Sequence, residues 1–416
     1  MKNNMRIGFV GLTHLGLVSS ICAAEKGFNL VCYDSKTNLI EMLNNFDLPI
    51  EEPGLIQLLK KNKKLIKFTS NFNDLKDLDI IYVAPDIPTD QDGFSDLHEI
   101  RAYLSDLKKI DSKDKIIVVL SQVPPGFTRE FSSDFNNLYY QVETLVFGSA
   151  VERSLYPERF ILGLKDSRKK IMKKFELFLD AYKCPLISMR YESAELAKIS
   201  INMFLVSSVT TSNLIAELCE KIGANFSEII PALQLDKRIG KFAYLAPGLG
   251  ISGGNLERDL TTFINFSKDN KSDCETVKSW QANSQHRKEW PYMIIKENIL
   301  SVISQPRILI LGLSYKPNTH SIKNSPTIKL LEKLTVCTKY IFDPIIKSYD
   351  GSDTVMLDSI DNESFDYDVL VIMNQSDEFK TIDHSKLKSI TYFIDPFRVL
   401  DDEKLPVNSK VFHLGS

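Results

Sequence analysis

Short apolar runs alternate with amphipathic stretches through the first 190 residues of the chain. Residues 5–10, 30–33, 79–84, 115–120 and 160–163 form such runs, and Leu145 and Val146 indicate a further strand nearby. Apolar runs of this length, bounded by Gly, Pro or Asp, are typical of strands buried on both faces. Their alternation with helical segments predicts a mostly parallel, doubly wound sheet.

The same pattern returns in the last third of the chain. Residues 307–311, 340–342, 369–373 and 391–394 are apolar runs, and Ser325-Pro326 marks the start of a helix. Serine at the N-cap followed by proline in the first turn is a common helix start. We therefore expect a second α/β domain.

The middle of the chain reads as one long helix. Residues 192–221 contain no Pro or Gly and carry apolar side chains at helical spacing. Lys198 and Asn202 lie on one face of it, which by itself favours a solvated pair on an amphipathic helix. The predicted fold class is α/β, with two Rossmann-like doubly wound domains joined by a long central helix. The expected domains are residues 1–189, 190–290 and 291–416.

Composition narrows the possible functions. The 416 residues include 51 basic and 54 acidic side chains, a net charge of −3, which gives no electrostatic case for nucleic acid or an anionic membrane. Six scattered cysteines, without CxxC or histidines at metal-ligand spacing, favour a reduced cytoplasmic protein with no metal site. Residues 7–24 resemble a secretory signal, but three glycines and a histidine interrupt them, so we expect a strand, a turn and a buried helix. No other stretch is expected to span a membrane.

A glycine-containing turn follows the first predicted strand. It consists of Gly11, Leu12, Thr13, His14, Leu15 and Gly16, and Asp34 ends the next strand. This arrangement is typical of dinucleotide folds, in which the turn approaches a pyrophosphate and the acid binds a ribose hydroxyl. Thr13 departs from the usual glycine, so its side chain either crowds the phosphate or bonds to it. Asp34 argues against a 2′-phosphate and therefore favours NAD over NADP.

A second glycine-rich stretch, residues 246–260, reads APGLGISGGNLERDL. Glycine lets a backbone wrap a ligand without interference from Cβ atoms. Taken alone, the stretch is best interpreted as a turn before a helix.

Eight motifs, in chain order, resemble those of the UDP-glucose/GDP-mannose dehydrogenase family, nearly end to end. They are the turn at 11–16 (GxGYVG in the family), 52–55 (EPGL), 121–126 (STVPPG), 156–163 (NPDRIVIG), Glu195 with Lys198 and Asn202 (ExxKxxxN), 238–240 (RIG), 312–326 (GLxFKPNTDDIRxSP) and 377–379 (WxEF). Eight ordered motifs imply common ancestry, which fixes the fold better than the reaction.

The resemblance implies NAD-dependent oxidation of a nucleotide sugar at its C6 alcohol. In the family a cysteine captures the aldehyde before a second oxidation, because a thiolate is a strong nucleophile. Here Asn255 stands at the cysteine position, Arg258 at the lysine position, and Asp259 is retained. An amide cannot form that adduct, so the four-electron cysteine mechanism is not expected.

The resemblance also assigns the candidate site residues. The catalytic set is Lys198, Asp259, Asn202, Glu143 and the Asn255 position. The substrate-binding set is Glu143, Lys198, Asn202, Arg238, Gly250, Gly253 and Lys316. The cofactor-binding set is Gly11, Thr13, His14, Leu15, Gly16, Asp34, Gln122, Arg258 and Lys323. Departures from the family pattern fall mainly on the cofactor side, at Thr13, Gln122, Phe147 and Lys323.

Three functions remain open from the sequence. The first is an NAD-dependent oxidoreductase that acts on a UDP-sugar by a cysteine-free route and either stops at the aldehyde or slowly oxidises the aldehyde hydrate. The second is a non-catalytic nucleotide-sugar-binding relative, and the third is an enzyme redirected to another sugar carbon or to epimerisation. The resemblance further implies a role in polysaccharide biosynthesis and a homodimer formed through the central helix, for which apolar residues on several helix faces offer a surface. These residues are Met203, Phe204, Val206, Val209 and Leu214.

Overall fold

An eight-stranded sheet forms the centre of the first of two units, Met1–Ile201. The computed structural model describes residues 5–88, 90, 94–110, 114–360 and 366–416, and of Asn255 the backbone alone. Within these residues the strands are β1 (Arg6–Val10), β2 (Asn29–Tyr33), β3 (Ile66–Thr69), β4 (Ile80–Val83), β5 (Ile116–Val119), β6 (Asn137–Gln141), β7 (Phe160–Leu164) and β8 (Leu186–Arg190).

The strand order is β3-β2-β1-β4-β5-β6-β7-β8. The first six strands are parallel in the 3-2-1-4-5-6 order of dinucleotide folds, β7 runs antiparallel to β6, and β8 is parallel to β7. The order changes direction between β1 and β4, so the loops after these two strands meet at one edge of the sheet.

The helices of this unit bury both faces of the sheet. They are α1 (His14–Glu25), α2 (Thr37–Asn44), α3 (Leu55–Asn62), α4 (His98–Lys109), α5 (Phe127–Glu130), α6 (Ala150–Leu155) and α7 (Lys173–Leu179). Alternate residues of a strand point to opposite faces. Accordingly Ile80 and Tyr82 of β4 enter one hydrophobic core, and Ile81 and Val83 enter the other.

Helix α8 (Tyr191–Ile222) follows β8 directly and continues past the boundary between the units. Its 32 residues contain no Pro or Gly, so nothing in the sequence interrupts the backbone hydrogen bonds. By length and composition it is the one helix among the described residues that is long and apolar enough to cross a membrane. The expectation that no stretch meets this criterion is therefore wrong. Residues 199–216 carry no charged side chain, which makes this part of the helix apolar enough to meet the criterion. The core helix of a soluble protein meets the same criterion.

The second unit, Asn202–Ser416, contains an all-parallel sheet. Its described strands are β9 (Arg307–Leu311), β10 (Thr338–Phe342), β11 (Thr354–Met356), β12 (Val369–Ile372), β13 (Tyr392–Ile394) and β14 (Lys410–Phe412), in the order β11-β10-β9-β12-β13-β14. The helices after α8 are α9 (Phe226–Leu235), α10 (Asn255–Asp269), α11 (Glu275–Lys288), α12 (Trp290–Asn298), α13 (Pro326–Lys333) and α14 (Asp377–Lys380).

The predicted fold class is confirmed. The sheets, the central helix and the helix that begins at Pro326 lie within a few residues of their predicted positions. Leu145 and Val146 follow β6 without belonging to a strand, because that strand ends at Gln141. The prediction missed β3, β6, β8, β11 and β14, whose sequences mix apolar with polar or charged residues. The three expected domain boundaries stay a prediction.

Candidate active site

The turn between β1 and α1 has the close packing that a dinucleotide fold requires. The Gly11 amide donates to the Tyr33 carbonyl at 3.0 Å, and the Leu12 amide donates to Asp34 Oδ2 at 2.9 Å. A Cβ at Gly16 would lie 1.9 Å from the Gly11 carbonyl oxygen, so only glycine lets the helix approach the strand this closely. Asp34 is only 1% exposed, and the backbone amide of Lys36 also donates to it.

Thr13 is joined to Asp86, which follows β4. The Asp86 amide donates to Thr13 Oγ1 at 2.7 Å, and the His14 amide donates to Asp86 Oδ2 at 3.0 Å. The Asp86 side chain reaches solvent, yet the protein packed around it removes part of its hydration and raises the pKa of the carboxyl; nearby Glu143 also raises it. The Asp86 carboxylate therefore binds the first amide of α1, and a helix N-terminus favours an anion at this place.

The side chain of His14 binds a buried carboxylate. His14 Nε2 lies 2.8 Å from Glu52 Oε1, and Glu52 also accepts hydrogen bonds from the backbone amide of Gly148. The exposed Phe147 ring stands 4.1 Å from the imidazole, centroid to centroid. Phe147, one of the departures from the family pattern, is thus packed on His14. The neighbouring Leu15 is buried in the core of the sheet.

The loop after β5 is attached to α8 by Glu195. This fully buried carboxylate accepts the amides of Gly126 at 2.6 Å and Thr128 at 2.8 Å. Burial raises the pKa of Glu195 to about 7, although these hydrogen bonds oppose the rise. Gln122 lies half-buried in the same loop, and Ser121 Oγ donates to the Pro85 carbonyl at 2.5 Å. The loops after β4 and β5 are therefore fastened together.

The first unit brings Lys198 and Glu143 together. Lys198 Nζ lies 2.8 Å from Glu143 Oε1, and both side chains are mostly buried. Glu143 Oε2 accepts the Leu145 amide at 2.9 Å, which fixes the carboxylate just beyond β6. A cation and a carboxylate in contact provide both a donor for a developing negative charge and an acceptor for a proton.

The second unit brings Asn202 and Asp259 together. Asn202 Nδ2 donates to Asp259 Oδ2, and Arg258 Nε lies 3.1 Å from Asp259 Oδ1. Asp259 is only 1% exposed. Its two oxygens are thus held by protein donors, which suits a positioning role. Lys198 and Asn202 are one turn apart on α8.

The glycine-rich loop before α10 is packed against the loop after β9. A Cβ at Gly253 would lie 2.8 Å from the Tyr315 ring at a φ of +79°, so this close approach requires glycine. The Gly253 amide donates to the Lys323 carbonyl at 3.2 Å, and the Lys323 side chain lies beside Gly254. Asn255 begins α10, but its side chain lies outside the described residues.

Three further candidate residues occupy separate places. The Arg238 side chain is 88% exposed and pairs with Asp236 of its own turn. Lys316 Nζ stands 5.8 Å from the centroid of the Tyr315 ring. Gly250 packs against Ser284, whose hydroxyl accepts the Ile251 amide at 2.7 Å.

Sequence reasoning missed Asp86 and Glu52 as site residues. Asp86 stands between prolines directly after a buried strand, and this position at the carboxyl edge of the sheet was the available signal. Glu52 belonged to a recognised motif, but nothing in the sequence paired it with His14. Among the described residues, no group of three or more His, Cys, Asp and Glu side chains could hold a metal ion.

Comparisons with known proteins give the family of this chain. Family models of the UDP-glucose/GDP-mannose dehydrogenase family match as the NAD binding domain at residues 5–181, the central domain at 192–285 and the UDP binding domain at 309–402. The UDP-glucose 6-dehydrogenase of Rickettsia bellii (strain RML369-C) is 29% identical over 438 residues, covering 99% of this chain and 100% of that protein. UDP-glucose 6-dehydrogenase TuaD of Bacillus subtilis (strain 168) is 27% identical over 433 residues, covering 98% and 92%.

A solved structure shows the same fold. The UDP-D-ManNAc dehydrogenase from Pyrococcus horikoshii superposes with a TM-score of 0.83 at 23% identity, covering 99% of each chain. The matched NAD binding domain identifies NAD as the cofactor. The three matched domains and the shared fold show that this chain belongs to the UDP-glucose/GDP-mannose dehydrogenase family.

Proposed function

We propose that this protein oxidises the C6 alcohol of a UDP-sugar to the aldehyde, with NAD as oxidant and without a cysteine. The observation that carries the proposal is the contact between Lys198 and Glu143, 2.8 Å apart. Two oppositely charged side chains held this close, with little solvent, form an acid–base pair suited to removing a hydroxyl proton. The non-catalytic function gives this pair no such task.

The residues of the first unit fit a dinucleotide. Glycines at 11 and 16 allow the close turn, and Asp34, directly after β2, is proposed to bind a ribose hydroxyl. Bound NAD supplies a hydride acceptor at its nicotinamide ring. Gln122, Arg258 and Lys323 are proposed to complete this site. The carboxylate of Asp86 at the first amide of α1 opposes a pyrophosphate.

Lys198 and Glu143 have different tasks in this scheme. The Lys198 ammonium, already paired, has no lone pair to act as a base, so it stabilises the developing alkoxide on O6. Glu143 would accept the O6 proton, and NAD, when bound, would supply the acceptor for the C6 hydride, so that the alcohol becomes an aldehyde. Asp259 holds Asn202 and Arg258, so we assign it to positioning the substrate and not to proton transfer.

The reaction stops mainly at the aldehyde because position 255 lacks a thiol. A thiolate would capture the aldehyde and present it for a second oxidation, whereas an amide is not a comparable nucleophile. The aldehyde hydrate offers a slow second route, in which Glu143 activates the water. The substrate is held by Glu143, Lys198, Asn202 and Lys316, with Gly250 and Gly253 shaping the loop beside it. The family's UDP binding domain supports a UDP-sugar.

We further propose that the protein is a cytoplasmic homodimer that serves polysaccharide biosynthesis. The six cysteines are free, as expected in a reducing compartment. Helix α8 leaves five large apolar side chains exposed, namely Leu196, Phe204, Leu214, Leu218 and Ile222. Such a surface favours a partner helix. Arg238, which is exposed and paired with Asp236, is proposed to bind the substrate.

The test is incubation with NAD and a panel of UDP- and GDP-sugars, following NADH absorbance and product mass together. One NADH per sugar and an aldehyde mass are expected. Two NADH and an acid would show that position 255 is bypassed and would refute the cysteine-free account. Tight sugar binding by calorimetry without NADH would instead support the non-catalytic function, and oxidation at another carbon or epimerisation would support a redirected enzyme.

A further inference from the structure

Asp86 occupies the position at which a Rossmann fold receives the pyrophosphate of its dinucleotide. In such folds the phosphates approach the N-terminal amides of the first helix. Here the His14 amide, the first of α1, already donates to Asp86 Oδ2 at 3.0 Å. The anion-binding position is therefore filled by a side chain of the protein itself.

The loop that carries Asp86 is held in place from several sides. The Asp86 amide donates to Thr13 Oγ1 at 2.7 Å. Thr13, which replaces the usual glycine, therefore helps to hold this loop in place. The preceding Pro85 carbonyl accepts Ser121 Oγ, and Pro85 packs within 3 Å of the position a Cβ on Gly11 would take. The carboxylate is thus directed at the helix start by fixed backbone.

Neighbouring charges act on Asp86 in both directions. His14 lowers the pKa of the Asp86 carboxyl and Glu143 raises it, and the Glu143 carboxylate is itself paired with Lys198. The side chain of His14 is turned to Glu52 at 2.8 Å, and only its backbone amide meets Asp86. A pyrophosphate entering this position would meet a negative charge and would have to displace it.

We propose that Asp86 is an internal competitor of the dinucleotide pyrophosphate and thereby sets a weak affinity for NAD. Binding requires the carboxylate to leave the His14 amide, and the phosphate then takes its place. Thr13 strengthens the competition because its hydroxyl holds the Asp86 backbone. The inference rests on the dinucleotide site of the proposed function but not on sugar oxidation.

The test is calorimetric titration of the full chain with NAD and ADP-ribose, and with adenosine as a phosphate-free probe. Asp86→Asn keeps the shape of the side chain and removes its charge, so it is expected to bind NAD and ADP-ribose at least about tenfold more tightly. Adenosine binding is expected to stay unchanged. Thr13→Gly, which removes the hydroxyl, is expected to shift the affinity in the same direction by a smaller factor.

Asp90→Asn is the matched control, since it removes a second carboxylate that follows β4. The Asp90 carboxylate accepts the Phe94 amide. The NAD affinity of Asp90→Asn is expected to equal that of the wild type. Equal or weaker NAD binding by a folded Asp86→Asn variant would overturn the proposal, and so would an equal gain for adenosine. No NAD binding in any variant would overturn it as well. Failure of sugar oxidation alongside a gain in NAD affinity would refute only the proposed function.

Discussion

Lys198 Nζ lies 2.8 Å from Glu143 Oε1, and this contact joins α8 to the segment that follows β6. Side chains of opposite charge 55 positions apart in the chain are brought together where solvent is largely excluded. Electrostatic interactions are stronger at such a place than in water. The pair therefore combines a structural contact with the acid–base chemistry that we assign to the reaction.

Replacing Lys198 by methionine should slow oxidation far more than it weakens NAD binding. The substitution keeps much of the side-chain volume but removes the ammonium that stabilises the alkoxide, so we expect the rate to fall by about 10²–10³-fold. Single-turnover NADH formation measures the rate, and calorimetry measures NAD affinity. Lys221→Met, on the exposed last turn of the same helix, is the control and should retain wild-type turnover. Equal losses in both variants would contradict a catalytic role for Lys198.

A cysteine at position 255 should change the product. Asn255→Cys places a thiol at the first residue of α10, where a helix N-terminus lowers the pKa of a thiol and favours the thiolate. We expect capture of the aldehyde and a second oxidation, so that NADH per sugar rises from one toward two. Mass spectrometry of the product and of the trapped protein follows this change. Asn255→Ser is the control, and an unchanged aldehyde yield in the cysteine variant would refute our account of this loop.

The two halves of the chain show what a sequence can predict and what it cannot. Asp34 ends β2 and Asp343 follows β10, and each accepts the amide of the residue after a strand-end glycine, Leu12 in one case and Leu313 in the other. This repeated arrangement was predictable for Asp34, because local order (strand, glycine turn, helix, strand, acid) specifies it.

Contacts between distant segments were not predictable in the same way. The position of Asp86 on the His14 amide depends on how the loops after β1 and β4 meet, 72 residues apart. Likewise β14 is a short edge strand with a charged residue, and only its pairing with β13 identifies it. Periodicity in the sequence indicates local secondary structure, but it does not indicate which distant segments meet.

Gly253→Ala should destabilise the protein. An added Cβ would approach the Tyr315 ring to 2.8 Å and force an alanine to a φ of +79°, which together should cost about 1–4 kcal/mol of unfolding free energy. Urea denaturation measures the loss. Gly248→Ala is the matched control, because a Cβ there meets no atom within 4 Å. Equal stability of the two variants would show that the close approach to Tyr315 does not require glycine.

Exposed apolar residues on α8 should control assembly. Phe204, Leu218 and Ile222 are 77%, 57% and 67% exposed and fall on one helical face, whereas Met203 and Val206, first considered for the interface, are buried. Phe204→Ser with Leu218→Ser should shift a dimer toward monomer in light scattering. Phe242→Ser, an exposed aromatic outside α8, is the control. A dimer unaffected by the double substitution would refute an interface on this face.

Glu195 should make stability depend on pH. Its pKa is raised to about 7 in the folded protein from an ordinary 4.5. The folded state therefore binds more protons than the unfolded state between these values, and the free energy of unfolding falls as pH rises through this window, by about 2–3 kcal/mol. The glutamine of Glu195→Gln cannot ionise, so the free energy of unfolding of this variant should not show that fall. It also gives up one acceptor for the Gly126 and Thr128 amides, which lowers stability equally at every pH.

The informative quantity is therefore the change between pH 4.5 and pH 8, measured by urea denaturation of both proteins. Wild type should lose more stability over this range than Glu195→Gln, and the difference should follow a single titration. Glu192→Gln is the control, since that carboxylate is paired with Arg129, which lowers its pKa and places its titration below this window. Parallel pH profiles for wild type and Glu195→Gln would mean that Glu195 is ionised in the folded protein well below neutral pH. In that case the hydrogen bonds from Gly126 and Thr128 would outweigh the burial.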